Sequence, residues 1–304
     1  MTRVEADRLL ALARQANLSG PEAEAWTKRL EPERENLAEA ARLLVREGDA
    51  ESAAEMAANV WRLWLVTGDP AGGRELLAAA LDAGPRAPSS ARALALYGDG
   101  LLAFRARAQA ESRRRNEEAL EVARAVGDKR AESLALVGLS RVALRDGDYS
   151  RVRVLAALAR ELAREFGPAA DAAPLHMLAA GTRLAGDYDD AVRLYSESLD
   201  LSRKLGNSRG VAMELHNIGH VELHRGRVGE AERCFSECAG VRDANDPYEA
   251  AMTHLNQAGL AFAHGERERA AALLQSVRTT LDAAKIVLDP DDAFEVQWLS
   301  DRLG

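Results

Sequence analysis

The chain has 304 residues, a formal net charge of −8 and two cysteines. An acidic balance of this size excludes a chain-wide electrostatic footprint for nucleic acid. Two cysteines deep in the chain exclude a disulfide framework and fit a reducing, cytoplasmic compartment. Hydrophobic residues make up 47% but aromatics only 5%. This Ala, Leu, Arg and Glu vocabulary favours helices, because these side chains lose little rotamer freedom there. The N-terminal MTRVEADRLLALARQ lacks an apolar signal core. No window reaches ~18 uninterrupted apolar residues, so no membrane span is expected.

Residues 3–16 predict a first helix with Val4, Leu9, Leu10, Ala13 and Ala16 on its apolar side. Ser19 to Glu22 reads as a capping box for the next helix, which carries Trp26 and Leu30 and stops near Pro32. From Glu33 a helix runs to a turn at Gly48-Asp49. Another then ends at Gly68-Asp69, with Trp61, Trp64 and Leu65 on a packed flank.

From there a repeat sets in. Helix–turn–helix units place turns at Gly68, Arg107, Gly147, Gly186, Gly226 and Gly265, at intervals of 39, 40, 39, 40 and 39 residues. Glycine supplies the left-handed backbone at a helix end, and a following Asp can cap the next helix. A second glycine lies 20 residues past three of the turns, at Gly127, Gly167 and Gly206. A fixed period of this length makes a repeat array the architecture, and a surface rather than a pocket the working part.

These residues resemble the tetratricopeptide repeat. That motif asks for small, large and small residues five, nine and twelve positions after the turn. Ala191, Tyr195 and Ser198 meet it, as do Ala231, Phe235 and Cys238. Ala270, Leu274 and Val277 meet it approximately, and Gly73, Leu77 and Ala80 follow Gly68, with Pro85 at the site of the motif's closing proline. Ile218-Gly219 matches its Leu-Gly pair, and Gly100 takes the same glycine site earlier. The period is longer than the motif's 34 and overlaps the HEAT range. The unit at Arg107 is degenerate, with Ser112 and Asn116 at the small and large sites. Residues 20–85 are further similar to the segment joining ATPase to repeats in bacterial transcriptional activators of the LuxR and MalT type. Trp26, Leu30, Glu35, Asn36, Leu37 and Ala40 carry that likeness. It implies a C-terminal sensor arm, either excised or free-standing. The nucleotide-binding loop and helix-turn-helix of those activators are not identifiable here, and GDPAGGRE at 68–75 reads as a repeat turn.

The resemblance implies an all-α, right-handed superhelix (an α-solenoid) of tetratricopeptide-like helix pairs with 39–40-residue units. Residues 1–48 form an N-terminal helical cap, 49–287 the array, and 288–304 a capping helix that covers the last repeat with Phe294 and Trp298. First helices line the concave face of such arrays. The candidate groove residues are therefore Arg141, His176, Arg183, His216, Asn217, His220, Asn256 and Gln257. Their amides, imidazoles and guanidinium groups suit peptide backbone or a carboxylate; the competing reading is a solvated helix face.

His216, His220 and His224 share one helix face at spacings that can chelate a metal, but no carboxylate on that face completes a site. Cys234 and Cys238 read as packing residues. Arg113, Arg114 and Arg115, with Arg105 and Arg107, form the one basic cluster, read as a solvated face rather than a phosphate site. No catalytic triad spacing stands out and no cofactor is implied.

The expected function is a non-catalytic regulatory or sensor arm, tied to bacterial transcriptional regulation or signalling. Its expected partner is a protein, a peptide or a small-molecule effector, with no membrane and no direct nucleic-acid contact. The alternatives left open are a free-standing or homodimeric adaptor and, remotely, a metal-dependent enzyme built on the histidines.

Overall fold

The computed structural model describes residues 1–19, 22–82, 87–242 and 246–304. Among them the chain is all-α, with sixteen helices and no strand. In order these are α1 (Arg3–Gln15), α2 (Ala23–Leu30), α3 (Arg34–Arg46), α4 (Ala50–Val66), α5 (Pro70–Asp82), α6 (Ser90–Arg105), α7 (Gln109–Val126) and α8 (Lys129–Arg145). They continue as α9 (Tyr149–Ala163), α10 (Pro168–Leu184), α11 (Tyr188–Lys204), α12 (Ser208–His224), α13 (Val228–Val241), α14 (Pro247–Ala263), α15 (Arg267–Ala283) and α16 (Pro290–Leu303). No helix among the described residues is long and apolar enough to cross a membrane. Pro85 lies outside the described residues.

Backbone hand sets the helix ends. Gly48, Gly68, Gly147, Gly186, Gly226 and Gly265 all have φ between +73° and +89°, a region that is costly for residues with a Cβ. At the end of α12, Gly226 N–H donates to Leu223 O (3.0 Å) and Arg227 N–H to Glu222 O (2.8 Å). These two bonds close the helix in a Schellman turn. Arg107, placed at a turn by spacing alone, takes the same hand at φ +61°. Holding a non-glycine residue there costs roughly 1–2 kcal/mol. Arg107→Gly is therefore expected to raise stability by about 1 kcal/mol, read as a higher denaturation midpoint. Lys285 is the other non-glycine residue of this hand among the described residues, at φ +54°.

The chain divides into two compact units, residues 1–143 with 154–174 and residues 144–153 with 175–304. In the first unit, Leu9, Leu37, Leu44, Met56 and Leu63 form the core between α1, α3 and α4. Trp61 and Trp64 are buried there as expected, and Trp61 meets Tyr97 edge-on at 6.1 Å. Two details of the sequence reading fail. Val4 is 79% exposed, and Ala6 is buried on that helix instead. Ser19 caps no helix: the N-cap of α2 is Glu22, with no side-chain cap, and the Ser19 hydroxyl instead bonds Asn17.

The degenerate repeat packs normally. Ser112 and Asn116 are fully buried at the small and large sites. Asn116 fits because its neighbours are glycines: a Cβ at Gly138 would lie 1.9 Å from its Oδ1, and one at Gly100 would lie 2.4 Å from its Nδ2. The basic cluster is partly internal. Arg115 is buried, with Nε 2.7 Å from the buried Asp99 and 3.1 Å from Glu111, while Arg114 also pairs with Glu111.

In the second unit the repeat signature is the packing. Ala191, Tyr195, Ser198, Ala231, Phe235, Cys238, Ala270, Leu274 and Val277 are all buried. A Cβ on Gly219 would lie 2.2 Å from Phe235 Cε1. The missing side chain therefore sets the distance between α12 and α13. Two apolar clusters result: Leu175, Tyr195, Leu215 and Val221 belong to one, and Met252, Leu255, Leu274 and Leu299 to the other.

Candidate functional site

Helix α12 occupies the middle of the second unit and buries every residue from Glu214 to Glu222. A helix covered on all sides meets its polar partners inside the protein, and those of α12 lie chiefly on α10, α11, α14 and α16. Arg183 on α10 is 1% exposed and bonds both Asn217 Oδ1 and Glu295. His220 lies with Nδ1 3.2 Å from Glu295 and Nε2 3.1 Å from Asn256 Oδ1. His224 Nε2 reaches the same carboxylate at 2.9 Å.

Asp292 hydrogen-bonds the Tyr248 hydroxyl and lies 3.0 Å from His216 Nε2. His176 Nδ1 is 3.1 Å from Glu214, which also accepts from Ser198 Oγ at 2.8 Å. Aromatic contacts continue the set. Tyr188 stacks on His224 at 5.4 Å, and Trp298 meets that ring edge-on at 4.6 Å.

Electrostatics follow from this crowding. Burial pushes the Glu295 carboxyl up, but Arg183, His220 and the bonds from His220 and His224 outweigh it and hold it well below the usual carboxylate range. Burial holds His216 well below its ordinary value, with His220, Arg242 and Arg183 adding to the effect, so it meets Asp292 as a neutral ring. Asp291 is pushed up to about 6 by burial and by Asp292, against the pull of His176 and Arg183.

The structure thus brings Arg183, His216, Asn217, His220 and Asn256 into one buried cluster, with His176 half-buried beside it. Gln257 is exposed on α14. Arg141 belongs to the first unit. There, burial pushes the Tyr97 phenol up, while Arg141 and Arg62 hold it below its ordinary value.

The residues missed from sequence are Asp291, Asp292 and Glu295, the carboxylates that the histidine face had been read as lacking. Their signal was a helix carrying acids at i, i+1 and i+4 in a chain whose histidines repeat every fourth residue. Among the described residues no group of three or more His, Cys, Asp or Glu side chains has the geometry to hold a metal ion.

Cys238 donates to Ala212 O at 3.2 Å. Burial pushes both the Cys234 and Cys238 thiols up to about 11 from 9.0. A thiolate fraction about a hundredfold lower at pH 8 should make alkylation by iodoacetamide correspondingly slow. Labelling should become fast only in denaturant; labelling of the folded chain at the rate of a free thiol would contradict this.

A family profile described as tetratricopeptide repeat matches residues 170–239. Among curated protein sequences none matches the chain. Among solved structures the chain is similar to a Rap protein complexed with competence and sporulation factor, at 12% identity, 99% of this chain, 97% of that one and a TM-score of 0.61. It is also similar to NprR in complex with its cognate peptide NprX, at 16% identity, 98% and 82% coverage and a TM-score of 0.59. A signal-transduction ATPase with a tetratricopeptide repeat sensor from Pyrococcus horikoshii shares the fold at 15% identity and a TM-score of 0.53, over 86% of this chain and 44% of that one. Repeat spacing, buried signature residues and matched segment agree: residues 170–239 are tetratricopeptide repeats, and the chain shares the fold of proteins built from them.

Proposed function

We propose that the chain is a non-catalytic binding module that takes a peptide or protein segment on the first-helix face of its second unit. The observation that carries this reading is the cluster of Arg183, His216, Asn217, His220 and Asn256, in which Arg183, His216 and His220 already grip polypeptide, namely α16, and Asn217 and Asn256 bond Arg183 and His220. Guanidinium, imidazole and amide groups buried together supply directional donors and acceptors without a nucleophile, which suits recognition rather than turnover. The Rap and NprR likenesses, both to proteins solved with a peptide or factor bound, support the same reading. The ATPase with a repeat sensor supports a regulatory or sensor arm, in transcription or signalling. A reducing cytoplasmic setting suits the free thiols Cys234 and Cys238.

The test is to pan a random peptide library on the full chain. Enriched sequences should lose affinity about tenfold or more when His216, Asn217 and Asn256 are replaced together by Ala, since each buried hydrogen bond removed costs about 1 kcal/mol. Failure to enrich any sequence, or unchanged affinity in the triple variant, would overturn the reading.

A further inference from the structure

Helix α16 buries an unusual set of residues. Its buried positions are Asp291, Asp292, Glu295 and Leu299, three of them carboxylates, while Val296, Trp298 and Leu303 are half-buried against the apolar cluster. By contrast α14, a member of the array, buries Ala251, Met252, Leu255, Ala258, Gly259 and Ala261 with a single polar side chain, Asn256. A helix seated mainly by buried charge gains little net stability, because removing each carboxylate from water offsets most of the attraction. A helix seated by apolar residues gains in proportion to the area covered. Helix α16 is therefore placed by specific polar contacts, to which Leu299, Val296, Trp298 and Leu303 add apolar cover.

The receiving face is complementary. Arg183, His220 and His224 converge on Glu295, while His216 and Tyr248 converge on Asp292. Trp298 then packs edge-on against His224 and Phe262, at 4.6 and 5.7 Å.

Resting on the reading of this face as a polypeptide site, we infer that α16 is its resident intrachain occupant. The partner is then an acidic helical segment that displaces α16 by presenting the same pattern. That pattern is two adjacent carboxylates, a third one turn on, and a large apolar residue at the next turn. The tethered helix competes at an effective concentration in the mM range, as a short linker gives. The free site is thus masked until the partner outcompetes α16 or the latch is weakened.

The test uses a fluorescein-labelled peptide with the sequence of residues 288–304, titrated into full-length chains by anisotropy. The Glu295→Gln chain keeps the receiving face intact but weakens its own latch. It should bind the peptide about tenfold or more tightly than wild type, that is by about 1.4 kcal/mol. Adding Arg183→Leu to that chain, or replacing the peptide's own glutamate by glutamine, should remove the gain. Hydrogen exchange of the Glu295→Gln chain should quicken in 290–303 and stay slow in 175–283.

Equal affinity for both chains would overturn the inference. So would lost protection throughout 175–283, which would make α16 part of the core. A dimer that exchanges α16 between two copies, seen by light scattering, would overturn the intrachain latch. If library peptides bind wild type while the α16 peptide gains nothing, the binding module stands and the acidic partner falls. If neither binds, both fall.

Discussion

Glu295→Lys is expected to release α16 from the second unit. The substitution places an ammonium group where Arg183, His220 and His224 now share one carboxylate. Removing one partner of a buried ion pair typically costs about 3–5 kcal/mol, because the other charge is left uncompensated. Here the chain has a cheaper escape than global unfolding. When α16 leaves, water reaches Arg183, so the loss is capped at the docking free energy of one helix. The expected readout is local. Hydrogen exchange in 290–303 should approach that of an unprotected segment, while 175–283 keeps its protection. Retained protection in 290–303 would show that Glu295 does not hold the helix.

Phe235→Ala is expected to be the most damaging single truncation in the array itself, at about 3–5 kcal/mol in denaturant unfolding. Phe235 is 5% exposed and fills the space between α12 and α13, against Gly219 and the rings of His216 and His220. No helix can leave to relieve this cavity, so the loss falls on the whole second unit. The reciprocal change, Gly219→Ala, should cost about 1–3 kcal/mol by overpacking, because its methyl would lie 2.2 Å from the Phe235 ring. The two should not add. In the double variant the new methyl occupies space the ring has vacated, so the combined loss should fall short of the sum by a kcal/mol or so. Simple additivity would mean that the helices do not meet through this pair.

The period of the array was legible because it rests on backbone hand. Glycines at fixed spacing mark positive φ without reference to any partner, and spacing alone placed Arg107 in that role. Lys285 takes the same hand 20 residues past Gly265, the spacing of the second glycine series, but a lysine carries no mark of positive φ in the sequence. Small and large packing sites were equally readable, since they depend on neighbours within one helix pair. Asn116 was not, because a polar residue fills a large site only if the facing helices offer glycine, as Gly100 and Gly138 do.

The site divides the same way. His216, Asn217 and His220 could be placed on one face from helical periodicity. Their occupant could not, because Asp292 and Glu295 lie over 70 residues away, and sequence does not say which surface a last helix covers. Phe294 and Trp298, the residues expected to cover the final repeat, also meet His224 on α12.

Hydrogen exchange of the wild-type chain, with and without a saturating peptide selected from the library, tests the central claim most directly. If the first-helix face of the second unit is a polypeptide site that α16 masks, exchange in 290–303 must quicken as the peptide binds, while α10, α12 and α14 become more protected. Protection of 290–303 that stays unchanged under a saturating ligand would contradict the account.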